Sequence, residues 1–91
     1  MTYSHVVSPD EALRDIQGYA AAGQIHYTRH ARERMAERNV AAADVQHCLR
    51  QASRCTEADG GKWKVNGRDL DGDALDVIVA LEGGVIVVTL F

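Results

Sequence analysis

The sequence has few of the features that mark secreted, membrane-spanning or disordered proteins. It contains one proline and two cysteines, Cys48 and Cys55, which form no CxxC or other repeated pattern. Its apolar runs are no longer than a strand, whereas a membrane-spanning helix needs about 20 apolar residues. The first residues resemble neither the basic nor the apolar part of a secretion signal. We therefore expect a reduced, cytoplasmic protein that does not associate with membranes.

The chain also lacks an excess of positive charge, because its formal net charge is −3. Proteins that hold nucleic acid by bulk electrostatics usually carry a strongly basic face. The charge is unevenly distributed, with four arginines between residues 29 and 38 and four aspartates between residues 69 and 76. Any binding to RNA must therefore be local.

Helix signals fill the first half of the chain. Residues 8–11 (Ser-Pro-Asp-Glu) form a capping box with proline in the first turn, which predicts a helix over 9–22. A threonine cap and a closing asparagine predict a second helix within 28–39, and apolar spacing predicts a third over 41–52. The residues between the first two helices, 25–27, are expected to form a short extended link.

Strand signals fill the second half of the chain. After Arg54 the apolar period changes to two, and glycine-containing turns recur at short intervals. Within 62–68, lysines alternate with Trp63 and Val65, so the strand has one basic face. We predict an α+β fold with two to three N-terminal helices packed on one face of a small antiparallel sheet of three to four strands, in a single domain over 1–91.

The most basic stretch lies in the predicted second helix. His30, Arg34 and Arg38 recur at i, i+4 and i+8, so they form one stripe beside Ala31 and Met35. A histidine with two guanidinium groups suits metal-independent RNA cleavage, which needs proton transfer and stabilisation of charge at phosphorus. The same stripe could instead pair within the scaffold, through helix carbonyls or carboxylates. The carboxylate candidates are Glu33, Glu37 and Asp44.

A second basic set lies in the predicted sheet. It comprises Lys62, Lys64 and Arg68 on one strand, with Thr89 on the last strand as a further polar candidate. Alternating cations of this kind either follow an RNA backbone or mark a solvated edge strand that is protected against aggregation. The spacing is compatible with both.

Neither the aspartates nor the cysteines predict a metal site. Residues 69–73 alternate carboxylates with a glycine, but the bidentate glutamate of a calcium loop is missing, so a turn is expected. Cys48 falls on the apolar face of the third helix, and no zinc spacing joins it to Cys55, His26 or His47. We expect buried thiols, and neither a metal nor another cofactor.

The segment around the basic stripe resembles a known bacterial family. It reads Thr-x-His-Ala-x-x-Arg-Met-x-x-Arg, with its matching positions at Thr28, His30, Ala31, Arg34, Met35 and Arg38. This pattern is similar to the hallmark of the domain of unknown function 4258 family. A looser likeness extends to residues 23–25 and to the last strand. That family looks like a branch of the RelE-type toxins, which place helices before a small antiparallel sheet.

The resemblance implies a RelE-like, metal-independent endoribonuclease from a toxin–antitoxin pair. Its expected catalytic residues are His30, Arg34 and Arg38, its substrate is RNA or the ribosome, and its partner is a cognate antitoxin protein. The alternative is a non-catalytic interaction module, an inactive toxin-like domain. Its C-terminal strand would pair with another chain or with its own copy in a homodimer.

Overall fold

A computed structural model describes residues 7–91 and confirms the α+β class. The elements in chain order are α1 (Pro9–Ala21), β1 (Ile25–Tyr27), α2 (Arg29–Arg38), α3 (Ala42–Gln51), β2 (Arg54–Ala58), β3 (Lys62–Arg68), β4 (Ala74–Leu81) and β5 (Val85–Leu90). All three predicted helices are present. The predicted single domain over 1–91 includes residues 1–6, which lie outside the described residues. Within residues 7–91, none of the helices is both long enough and apolar enough to cross a bilayer.

Local capping chemistry explains where α2 and α3 begin and end. The Thr28 hydroxyl accepts a hydrogen bond from the Ala31 amide at 3.0 Å, and Asn39 closes α2 in the left-handed conformation at φ 56°. At the start of α3, Ala41 has no side chain that can accept a hydrogen bond. The Asp44 carboxylate instead accepts one from the Ala41 amide at 3.0 Å.

The sheet has one more strand than expected, and it is mixed rather than antiparallel. Its strand order is β1-β5-β4-β3-β2. The predicted link at 25–27 is β1, which pairs in parallel with β5 so that Ile25 lies opposite Val85. Three residues are too few to show a strand period, and their partner lies at the far end of the chain. The other strand pairs are antiparallel, as expected.

The strand order contradicts two alternatives that the sequence left open, each of which requires an edge strand. β5 lies between β1 and β4, so the C-terminal strand is not a free edge at which another chain can pair. β3 lies between β4 and β2, so its lysines do not protect an edge strand. The outer strands of the sheet are β1 and β2.

The two faces of the sheet differ in burial. One face packs against α1 and α3, and in β3 it carries the buried Trp63 and Val65, as the alternation predicts. The opposite face, which we call the open face, carries no fully buried side chain among the described residues. Its members include Thr56, Lys62, Lys64, Asn66, Asp76, Ile78, Ala80, Ile86, Thr89 and Phe91.

The close approach of α3 to β3 depends on a residue without a side chain. A Cβ atom added at Gly67 would lie 2.7 Å from Cys48 Sγ and 2.8 Å from the Cys48 carbonyl oxygen. Because one of these atoms belongs to the backbone, relief of the overlap requires the helix to move away from the sheet. Glycine is therefore a packing requirement at this position.

We expect Gly67→Ala to lower the free energy of unfolding by about 1–3 kcal/mol, because it overpacks the interface between α3 and β3. The matched control is Gly18→Ala in α1, where the added Cβ meets no atom within 4 Å. That change should raise the free energy by about 0.5–1 kcal/mol through helix propensity. Urea denaturation measures both values, and equal stability of Gly67→Ala and the parent chain would contradict the packing argument.

Candidate functional site

α2 lies along the part of β5 that β1 does not reach. The Thr28 amide continues the strand pairing by donating to the Val87 carbonyl at 3.0 Å. The Thr28 hydroxyl then donates to the Val88 carbonyl at 2.9 Å, and Arg34 Nε donates to the Leu90 carbonyl at 3.2 Å. The side chains of Thr28 and Arg34 therefore donate hydrogen bonds to main-chain carbonyls of β5. A longer β1 would otherwise pair with these carbonyls.

Small and apolar residues complete the docking of α2. Ala31 is fully buried, which lets the helix backbone approach the core closely, and Met35 packs against the core beside it. Val88 is the extra residue of a bulge where β5 pairs with β4, a position at which the regular ladder is interrupted. Four of the six motif positions, Thr28, Ala31, Arg34 and Met35, therefore attach α2 to the rest of the fold.

The predicted stripe divides into one anchored residue and two exposed ones. Arg34 is half-buried, bonded to Leu90, and lies 3.6 Å from the Glu37 carboxylate. His30 and Arg38 are exposed and form no side-chain hydrogen bond or ion pair with any residue in 7–91. Scaffold pairing therefore accounts for Arg34 and leaves the other two side chains facing solvent.

Asp44, a suggested partner of the arginines, is occupied elsewhere. Its carboxylate accepts hydrogen bonds from the Ala41 amide at 3.0 Å and from the Leu70 amide at 3.1 Å. These two backbone donors lower the pKa of the Asp44 carboxyl, since they stabilise its charged form. Asp44 thus joins the start of α3 to the turn between β3 and β4.

The open face brings together several members of the second basic set. Lys64 lies opposite Ile78, which in turn lies opposite Thr89. Lys64 and Thr89 are therefore two strands apart, or about 10 Å. Lys64 Nζ also lies 5.5 Å from the centre of the Phe91 ring, within the range of a cation–π contact. Lys62 shares this face.

Arg68 lies apart from α2, in a cleft of about 410 Å³ that is lined by residues of α3, β3 and β4. Its Nη1 donates to the Gly72 carbonyl at 2.9 Å. In the same cleft, Asn66 Nδ2 donates to Asp76 Oδ1 at 2.7 Å. The cleft is lined by His47, Gln51, Ser53, Asn66, Gly67, Arg68, Ala74 and Asp76. Sequence reasoning did not identify this cleft, because it depends on the pairing of β3 with β4 and on the position of α3.

Both thiols are buried, as expected. Cys48 is fully buried and Cys55 is 7% exposed. Burial, with smaller effects from the charges of Asp76 and Asp69, raises the pKa of the Cys48 thiol to about 12. Burial raises the pKa of Cys55 to about 11. Both thiols are therefore protonated near neutral pH and are poor nucleophiles.

The aspartate-rich segment is a turn, as its sequence predicts. Asp69 Oδ1 accepts hydrogen bonds from the Asp71 and Asp73 amides, each at 2.9 Å. Gly72 supplies a positive φ of 87°. Ligand atoms of the three aspartates lie within 4.8 Å of one another, and the Asx-type turn accounts for this proximity.

We expect Thr28→Val to lower the free energy of unfolding by about 1–3 kcal/mol. Valine preserves the shape of the side chain but removes the acceptor for the Ala31 amide and the donor to the Val88 carbonyl. Thr56→Val is the matched control, because the Thr56 side chain makes no hydrogen bond to any residue in 7–91. Denaturant titration of both variants tests the prediction, which fails if they lose the same free energy.

Comparison with known proteins agrees with the resemblance seen in the motif. The chain matches a family model described as "Domain of unknown function (DUF4258)" over residues 27–91. No curated protein and no solved structure matches the chain. The matched segment contains α2, the strand on which it docks, and the β3 and β4 residues of the cleft. From the extent of this match, the chain belongs to the DUF4258 family.

Proposed function

We propose that this protein is a metal-independent endoribonuclease of the RelE-like toxin type, with single-stranded RNA bound on the open face and cleaved beside α2. The observation that supports this most strongly is the pairing of Lys64 with Phe91. It places a cation and an exposed aromatic ring together on the open face, near the strand that holds α2.

The open face offers the two kinds of contact that single-stranded RNA uses. Phe91 is 42% exposed and its ring can stack on a base, while Lys64 and Lys62 can bind phosphates. Thr89 adds a hydroxyl on the same face. A local set of contacts of this kind is compatible with RNA binding by a protein whose net charge is −3.

The α2 stripe borders the same end of β5. Arg34 is bonded to the carbonyl of Leu90, and the next residue along the chain is Phe91. A guanidinium group has five N–H donors, so the Nε bond to Leu90 and the Nη1 contact with Glu37 leave Nη2 to bind a phosphate. His30 and Arg38 lie one helical turn before and after Arg34. RNA stacked on Phe91 would therefore pass close to the stripe.

In the proposed reaction, His30 accepts the proton of a ribose 2′-hydroxyl, and the 2′-oxygen attacks the adjacent phosphorus. The bond to the 5′-oxygen breaks, and that oxygen takes a proton from water. The products are a 2′,3′-cyclic phosphate and a 5′-hydroxyl end. Arg34 and Arg38 stabilise the negative charge that develops on the phosphoryl oxygens during the attack.

A toxin of this kind requires a cognate antitoxin, because a free endoribonuclease would damage the RNA of its own cell. The open face suits such a protein partner as well as RNA. Between its lysines it carries the half-buried apolar residues Ile78 and Ile86, so a partner with acidic and apolar side chains is complementary to it. Bound there, the partner would compete directly with RNA.

We expect the purified chain to cleave single-stranded RNA or ribosome-bound mRNA in the presence of EDTA. His30→Ala should lower the rate by about 100-fold or more, which is the usual contribution of a proton-transfer group. Arg38→Ala should also lower the rate. The matched controls are His26→Ala and Arg32→Ala, which remove exposed residues of the same types outside the stripe.

The assay separates the two functional classes. Circular dichroism verifies that each variant is folded, and an RNA with 2′-deoxyribose at the cleaved position should resist cleavage because it lacks the attacking oxygen. The nuclease proposal is wrong if the parent chain leaves RNA intact, or if folded His30→Ala cleaves as fast as the parent. Intact RNA together with capture of a partner protein would instead support the non-catalytic module.

A further inference from the structure

We propose that the cleft lined by Asn66, Arg68 and Asp76 binds a guanine base. This inference rests on the proposed function for its ligand source, because single-stranded RNA would present such a base where it crosses the open face. The cleft volume of about 410 Å³ falls in the range of small-molecule sites. Two of its lining residues, Asn66 and Asp76, belong to the open face, and the main chain of Asp76 pairs with that of Phe91.

The choice of guanine follows from the hydrogen-bonding groups in the cleft. An ionised Asp76 carboxylate is only an acceptor. On its Watson–Crick edge guanine has two neighbouring donors, N1–H and N2–H, whereas adenine, cytosine and uracil each place an acceptor beside their donor. A carboxylate that accepts two parallel hydrogen bonds therefore matches guanine and leaves an unfavourable contact with each of the other bases.

The structure holds this carboxylate in a defined orientation. Asn66 and Asp76 lie directly opposite each other on β3 and β4, and Asn66 Nδ2 donates to Asp76 Oδ1 at 2.7 Å. Each carboxylate oxygen has two acceptor positions, so this bond orients the group and leaves Oδ2 and one position on Oδ1 for the base. Asp76 is half-buried, which limits competition from water.

Arg68 supplies the complementary donors. It lies two residues beyond Asn66 on the same strand, and its Nη1 is held by the Gly72 carbonyl at 2.9 Å. Its remaining N–H groups can donate to guanine O6 or N7, the commonest contact between arginine and this base. The residue opposite Arg68 is Ala74, whose small side chain leaves space above the strand pair.

The same residues argue against a simple anion site or a metal site. The Asp76 charge would repel a phosphate that lay next to it. Only one carboxylate lines the cleft, together with His47 and the cationic Arg68, which is a poor ligand set for a cation. A neutral base with donors on one edge and acceptors beside them fits this combination of groups.

The test is a titration of the full chain with 5′-GMP, AMP, CMP and UMP, followed by NMR of the backbone and Asn66 side-chain amides. We expect GMP to bind at least about 10-fold more tightly than the other nucleotides, which corresponds to one good bidentate contact. Asp76→Asn should remove this preference, and Arg68→Gln should weaken GMP binding. Asp71→Asn is the matched control, because it removes an exposed carboxylate outside the cleft.

Nucleotide binding is measured without RNA cleavage, so failure of this inference is distinguishable from failure of the proposed function. Equal affinity for the four nucleotides, absence of binding, or an unchanged preference in Asp76→Asn would each overturn it. Uridine oligonucleotides with and without one guanosine identify the source of the base. Tighter binding of the guanosine oligonucleotide than of GMP would support a base within RNA, and equal binding would support a free guanine nucleotide.

Discussion

The fold depends on the way α2 satisfies the main chain of β5. β5 is an interior strand of the sheet, but β1 pairs with it only as far as Val87. The carbonyls of Val88 and Leu90 therefore have no strand beside them on that side. Thr28 and Arg34 donate to these two carbonyls, and a partly buried carbonyl without a donor would cost about 1–3 kcal/mol. The helix therefore serves as the neighbour of β5 over its last residues.

This docking assigns different roles to the residues of the family motif. Thr28 and Arg34 face the strand, while His30 and Arg38 face solvent. Arg34 belongs to both groups in the proposed function, because the bond that anchors it also holds its guanidinium at Leu90, the residue before Phe91. The scaffold thus holds one cation of the stripe at the end of β5, where the proposed RNA path would meet α2.

Local patterns predicted the parts of the fold that depend on neighbouring residues, namely the helix caps and the alternation of β3. They could not predict the pairing of β1 with β5, since it joins three residues to a distant segment. The spacing of the stripe likewise predicts that Arg34 shares a helix face with His30. It does not predict that the Leu90 carbonyl lies opposite Arg34. The cleft was missed for the same reason, because Asn66 and Asp76 meet only through strand register.

Native-state hydrogen exchange followed by NMR tests the docking of α2 most directly. If α2 is held to β5 by Thr28, Arg34 and the buried Ala31, the amides of the last helical turns should exchange only with the unfolding that exposes β4 and β5. Their opening free energies and denaturant dependence should then equal those of the two strands. Rapid exchange throughout α2, with β4 and β5 still protected, would contradict the account.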